Sequence, residues 1–392
     1  MIPAAAALSR MMVRPIVLGL TLTLAAAPRA ALGEGEWEVT LESERALQRG
    51  LDWLDRNRGP EGNWGSNDLG LVSLGALAFM AAGHAPGRGR YGPTVQRALD
   101  YVMDHAASSG LLNISNPQRA MYNHGLSTFV LGQAHGMTTR RDRRLNHVLD
   151  RALKLIAHTQ AADGGWDYRA RRQTRGHDLS LVVMQAKALR SAMDSGLEVP
   201  PEVVRLAIQS VREHYCPRDG RRTAPEAEQR QQPGQFTYAK GGRSGTTAMA
   251  AAGVVCLQEF GQYDDWRIGK NMAFIVERVK RIRGPRRRDG TMPFDAYTLY
   301  YVGQALYQTG GEPWRECYPI LRDYLVASQI LDRDDPAHDG AWHDRGGTGG
   351  GRVSGKPGDL FGTAVACFVL AIPNRYLPIL QEGRIESLSV AR

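Results

Sequence analysis

The run Asp332-Arg333-Asp334-Asp335 places three carboxylates within four residues. Like charges at this spacing raise the pKa of one of them. Asp334, flanked by Asp332 and Asp335, is therefore a candidate to hold a proton for general acid catalysis. Single carboxylates also stand at the heads of uncharged runs, at Asp68, Asp178, Asp295 and Asp359. An oxygen in that position caps a helix N-terminus, and it also brings an acid to the helix ends. His124 and His177 sit at comparable points and serve either as structural histidines or as site residues. The candidate catalytic set is Asp334, Asp332, Asp178, Asp295 and His124. Tyr122, Tyr297, Phe361, Trp166 and Trp342, large aromatic faces near the same heads, are the candidate substrate contacts.

Other chemistry has no support in the sequence. There is no G-x-x-x-x-G-K-S/T, H-E-x-x-H or G-x-S-x-G, which sets aside phosphate-loop, zincin and nucleophile-elbow sites. Four cysteines without a C-x-x-C pair exclude a disulfide scaffold and a cysteine-rich zinc module. No metal and no cofactor is expected. With 43% hydrophobic and 23% charged residues over 392, the chain can bury a large core and is not a polytopic membrane protein.

The N-terminus reads as a targeting segment. Arg10 and Arg14 precede the apolar stretch Ile16 to Ala27, Pro28 breaks it, and Ala30, Ala31 and Gly33 supply small residues for cleavage. Residues 1–33 are thus expected to be a signal peptide, which makes the mature protein secreted or periplasmic.

The elements that must position the candidate residues come from an internal repeat. A charged amphipathic run, a loop and an almost uncharged run recur six times. The first runs are RGLDWL, RALDYV, RALKLI, AIQSV, NMAFIV and LRDYLV, spaced 48 to 64 residues apart. Their apolar residues follow helical spacing, with one solvated face. The second runs begin near Leu71, Leu126, Leu179, Thr246, Tyr297 and Leu360 and are rich in Gly, Ala, Ser and Thr. A helix apolar all round is buried. Six solvated helices alternating with six buried ones predict an all-α chain: an α/α toroid of six helical hairpins in two concentric rings. An open helical solenoid competes with it, but would leave the uncharged helices exposed on one side.

The joining loops share a second signature. RGLDWLDRNRGPEGNW and RALKLIAHTQAADGGW keep one register, and the sixth repeat has Gln329 and Asp339 to Trp342 with an insertion between them. The Gly permits a tight reversal after the first helix, and the Trp covers the helix ends. These segments resemble the QW repeats of squalene-hopene and oxidosqualene cyclases. Across residues 40–382 the chain resembles the terpenoid-cyclase and protein-prenyltransferase toroid superfamily. Arg151, Ala152, Ile156, Gln160, Gly164 and Trp166 fit the repeat best, with Leu155 at the usual aromatic; in the first repeat Arg58 replaces the Gln. Residues 383–392 form a tail. GGR at 350–352 and the stretch 363–380 are similar to secreted squalene-cyclase-like proteins of bacteria.

The resemblance implies an isoprenoid or other lipid held in a central cavity, with or without cyclase or isomerase chemistry. In class II terpene cyclases a DxDD motif protonates an alkene or epoxide, and Asp332 to Asp335 spells that motif. It lies before the sixth Trp rather than at an inner-helix start, and the chain has one toroid where triterpene cyclases have two barrels. Gly362 stands where prenyltransferases place a zinc His, so a zinc site is not expected. Basic residues crowd three loops: Arg169, Arg171, Arg172 and Arg175; Arg218, Arg221 and Arg222; Arg278, Lys280, Arg281, Arg283, Arg286, Arg287 and Arg288. They suit an anionic membrane surface, whereas no nucleic acid partner is expected. The alternative to a ligand-binding toroid is a non-catalytic extracytoplasmic scaffold that binds a protein or a membrane surface.

Overall fold

The computed structural model describes residues 37–138, 142–285, 287–332, 334–344 and 358–381. The chain divides into two units, Met1–Trp37 and Glu38–Arg392, and the helices belong to the second. The expected signal peptide, the tail 383–392, GGR 350–352 and Arg286 lie outside the described residues.

Thirteen α-helices occur among the described residues. They are α1 (Leu41–Arg56), α2 (Leu69–Ala81), α3 (Gly92–Asp104), α4 (Ala120–Met137), α5 (Arg143–Thr159), α6 (Leu179–Asp194), α7 (Pro201–Glu213), α8 (Glu226–Gln231), α9 (Thr247–Glu259), α10 (Trp266–Lys280), α11 (Ala296–Thr309), α12 (Gly311–Ser328) and α13 (Asp359–Ala371). Two short strands, β1 (Tyr215–Pro217) and β2 (Gly234–Phe236), pair antiparallel with Tyr215 opposite Phe236.

The two predicted helix types are present. In α5, Leu145, Val148, Leu149, Ala152, Leu153 and Ile156 are buried, a stripe at i, i+3, i+4, i+7 with a solvated opposite face. In α6, Leu179 through Ala192 is buried without a break. The inner helices pack in the sequence α2, α4, α6, α9, α11, α13, and α13 packs back on α2. That last contact closes the ring and excludes the open solenoid. The protein is an α/α toroid, with α1, α3, α5, α7, α10 and α12 outside. Small residues permit close approach within the inner ring. A Cβ at Gly132 of α4 would stand 2.4 Å from Ser191 Oγ of α6.

The Gln, Gly and Trp of the loops have separate physical roles. The Trp166 indole N–H donates to Ile156 O at 2.9 Å and that of Trp342 to Leu325 O at 3.0 Å. Each ring is therefore folded back on the end of its own outer helix. Gln160 Nε2 donates to Val203 O of α7, and Gln329 Nε2 to Ala46 O of α1. Each Gln thus ties its loop to the next hairpin, and Gln329 ties the last to the first. The glycines abut the same next helix: a Cβ at Gly164 would lie 1.9 Å from Leu206 O, and one at Gly340 2.7 Å from Arg49 O.

Candidate functional site

Side-chain caps set the heads of four inner helices. Asp68, Asp178, Thr246 and Asp295 accept from backbone N–H groups in the first turns of α2, α6, α9 and α11. Asp359 is the first residue of α13 and does not cap it. It pairs instead with His343 and lies 3.4 Å from His338 Nε2.

One cavity of about 330 Å³ opens among these helix heads. All six inner helices line it from their first two turns: Leu71 and Leu74 of α2, Tyr122 and Leu126 of α4, Ser180 and Met184 of α6, Met249 of α9, Tyr297 and Tyr300 of α11, and Phe361 of α13. The loops add Asp68, Gln118, Arg119, Tyr168 and Tyr238. The wall is mainly apolar and aromatic, as in small-molecule sites. Tyr122 stacks on Tyr168 with centroids 5.8 Å apart. Burial pushes the phenols of Tyr122, Tyr297 and Tyr300 well above their ordinary pKa, so these are weak proton donors.

A hydrogen-bond network backs one side of the wall. Asp178, buried behind the cavity, accepts from the hydroxyls of Tyr168 and Ser180. Tyr168 also bonds Tyr238, and Ser180 bonds Tyr122. Asp178 thus reaches the cavity only through other hydroxyls. The carboxylate that lines it, among the described residues, is Asp68. Its Oδ1 caps Leu71 N at 3.2 Å, while its Oδ2 accepts no hydrogen bond and is buried. Arg119 Nε approaches Oδ2 at 3.7 Å, an ion-pair distance longer than a hydrogen bond.

The structure separates the sequence candidates. Tyr122, Tyr297 and Phe361 line the cavity, and Asp178 stands behind it. Asp295 caps α11 through Thr298 N and Oγ1 and is absent from the lining. His124 is fully buried away from the cavity, with Nδ1 accepting from Leu112 N and Nε2 donating to Ala152 O. Both ring nitrogens are engaged, and burial lowers its pKa to about 4, so it is a structural histidine. Asp332 and Asp334 are exposed. Asp332 Oδ1 accepts from Asp334 N at 3.0 Å, which makes the run a solvated turn instead of an acid facing an enclosed chamber. Trp166 and Trp342, expected as substrate contacts, are fully buried in the helix-end packing and do not reach the cavity. The residues that the sequence reading missed are Tyr168 and Tyr238, from loops without periodicity, and the unused oxygen of Asp68. All four cysteines are buried free thiols. Among the described residues no His, Cys, Asp and Glu group is arranged for a metal, and no helix is long and apolar enough to cross a membrane.

No family model matches the chain, and no curated protein does. Solved structures do. An α-1,6-mannanase from Salegentibacter sp., solved with α-1,6-mannotetrose, aligns with a TM-score of 0.54 at 9% identity over 87% of this chain and 100% of its own. A D-mannose isomerase gives 0.52 at 9% identity over 86% and 98%. A type II terpene cyclase from Scytonema, solved with geranylgeranyl dihydroxybenzoate as substrate, gives 0.50 at 12% over 86% and 98%. At these identities the likeness establishes the toroid fold, which hosts several unrelated activities.

Proposed function

We propose that this chain binds an isoprenoid or other lipid-like small molecule in the central cavity, outside the cytoplasm. The observation that carries the reading is the wall of that cavity. Apolar and aromatic side chains from all six inner helices converge on one cavity that opens among the helix heads. Its volume falls at the small end of the ~300–1,000 Å³ range of small-molecule sites, which favours a shorter prenyl chain over a triterpene.

The same wall argues against two activities known on this fold. Alkene protonation needs a strong acid, and the lining offers an ion-paired Asp68 and buried phenols of raised pKa. Glycoside hydrolysis usually takes two carboxyl groups flanking the bond, and Asp68 is the one carboxylate among the described lining residues. The chemistry on view is therefore binding.

A second observation favours a membrane as the source of the ligand. The loops preceding α6, α9 and α11 lead to the helix heads around the cavity, and Arg172, Arg175, Arg218, Arg243, Arg283 and Arg287 are exposed on them. Such a rim suits an anionic surface.

The test is mass spectrometry of an organic extract of the purified chain, with calorimetric titration of prenyl compounds from geraniol to squalene. A co-purifying isoprenoid or a saturable prenyl titration supports the reading. An empty extract together with no binding across the series overturns it.

A further inference from the structure

We infer that the cavity selects a ligand bearing a free hydroxyl, a prenyl alcohol over the parent hydrocarbon or the diphosphate, with Asp68 Oδ2 accepting a hydrogen bond from the hydroxyl. The inference rests on the isoprenoid reading and narrows it to one functional group.

Asp68 is 1% exposed. One of its oxygens is used by the cap of α2, and the other accepts nothing. A carboxylate oxygen can only accept, and the Arg119 cation at 3.7 Å offsets its charge without supplying a hydrogen bond. The ligand group that meets it must therefore donate. The hydroxyls of Tyr297 and Tyr300 also stand on this wall, and neither makes a well-formed hydrogen bond. They offer donors to an oxygen-bearing ligand where a pure hydrocarbon would leave them bare.

Charge excludes the phosphorylated form. Arg119 is the one cation among the described lining residues, and it already stands 3.7 Å from Asp68. A diphosphate entering this space would meet a buried carboxylate with no free cation to offset it. A neutral hydroxyl meets no such penalty.

The experiment is calorimetric titration of farnesol, its methyl ether and farnesyl diphosphate against the wild type and Asp68→Asn. The ether keeps the oxygen and removes the donated proton. In the wild type, farnesol should bind about tenfold more tightly than the ether, and the diphosphate more weakly than either. Asp68→Asn keeps the capping oxygen and turns an amide N–H toward the cavity, which serves alcohol and ether alike. Their affinities should then fall within about twofold of each other. Equal wild-type affinities for alcohol and ether, or tighter binding of the diphosphate, would overturn the inference while leaving isoprenoid binding intact. Binding of none of the three would reject the isoprenoid reading itself and the inference with it. If Asp68→Asn does not fold, the wild-type series decides alone.

Discussion

Lys187 Nζ of α6 lies 2.9 Å from Glu259 Oε1 of α9, and both side chains are 1% exposed. Nζ also donates to Gln304 Oε1, and Gln308 Nε2 donates to Glu259 Oε1 at 3.0 Å. The ammonium sits 4.8 Å from the Phe129 ring centroid and 5.8 Å from that of Tyr300. Met184, one turn back along α6, and Tyr300 both line the cavity. The ion pair therefore lies beneath the cavity floor, joining three inner helices where the uncharged pattern of the ring is broken.

Taking one member of a buried pair away strands the other. Lys187→Met should destabilise the fold by ~3–5 kcal/mol, because Glu259 is left charged without its cation. Adding Glu259→Gln should restore most of that loss. Urea unfolding of the two single variants and the double variant measures the coupling. Simple addition of the two single losses would show that the pair does not act as a unit.

Gly59 and Gly164 share a left-handed backbone, with φ of +71° and +79°, but not a neighbourhood. A Cβ at Gly59 meets nothing within 4 Å, while one at Gly164 meets Leu206 O of α7 at 1.9 Å. Gly59→Ala should cost only the backbone conformation, about 1–2 kcal/mol. Gly164→Ala should cost clearly more, since α7 must move away. Equal shifts in Tm for the two variants would refute the role assigned to the repeat glycine.

The glycine contrast also shows what the sequence could convey. The alternation of charged and uncharged runs encodes the two rings, because a solvated face and a buried helix differ in composition. The register of Gln160, Gly164 and Trp166 was readable, but its reach to the next hairpin was not, since that contact depends on the ring closing. The segment between α7 and α9 left no signal: two three-residue strands and a six-residue helix are too short for periodicity. There Phe236 of β2 packs on Gly253 of α9, as Trp64 packs on Gly75 of α2. In the site, Tyr122 and Tyr297 were legible as early residues of inner helices. Trp166 and Trp342 were legible as covers of the helix ends, where both indoles lie, but their fit there leaves no face for the cavity. Asp68 was legible as a cap and as an acid at the helix ends, but that its second oxygen is left without a hydrogen bond is a tertiary fact.

His124 and His214 should make the fold acid-sensitive. Burial is the main cause that lowers each to about 4 from 6.5. Between those values the unfolded chain binds protons that the folded chain refuses, so stability falls as pH drops from about 6.5 towards 4. The share from fully buried His124 is on the order of 3 kcal/mol. Urea midpoints taken from neutral pH down to about 5 should decline, and less steeply in His124→Gln. A flat wild-type profile would contradict this.

Asp334 and Met184 separate a solvated acid from a cavity wall. Asp334→Asn should leave farnesol affinity unchanged and stability within about 0.5 kcal/mol, as for other exposed sites. Met184→Trp should fill the space between α6 and α11 and abolish titration while the helical spectrum persists. A loss of binding in Asp334→Asn would return the acidic run to the site.

The arginine rim makes the last prediction. Arg172, Arg175 and Arg287 are exposed on loops from two different hairpins that lead to the cavity. Each basic residue near an anionic surface contributes about 1 kcal/mol, and at physiological salt the field decays over about 8 Å. Vesicles containing phosphatidylserine should therefore retain the protein at low salt and release it as salt rises. Replacing the three arginines by Ser should weaken retention, while the calorimetric affinity for farnesol, set by the cavity wall, stays the same. That separation is the informative result, because a general loss of fold would lower both. Equal retention on neutral phosphatidylcholine vesicles, or no effect of salt, would show that the rim does not dock the toroid and that the ligand arrives by another route.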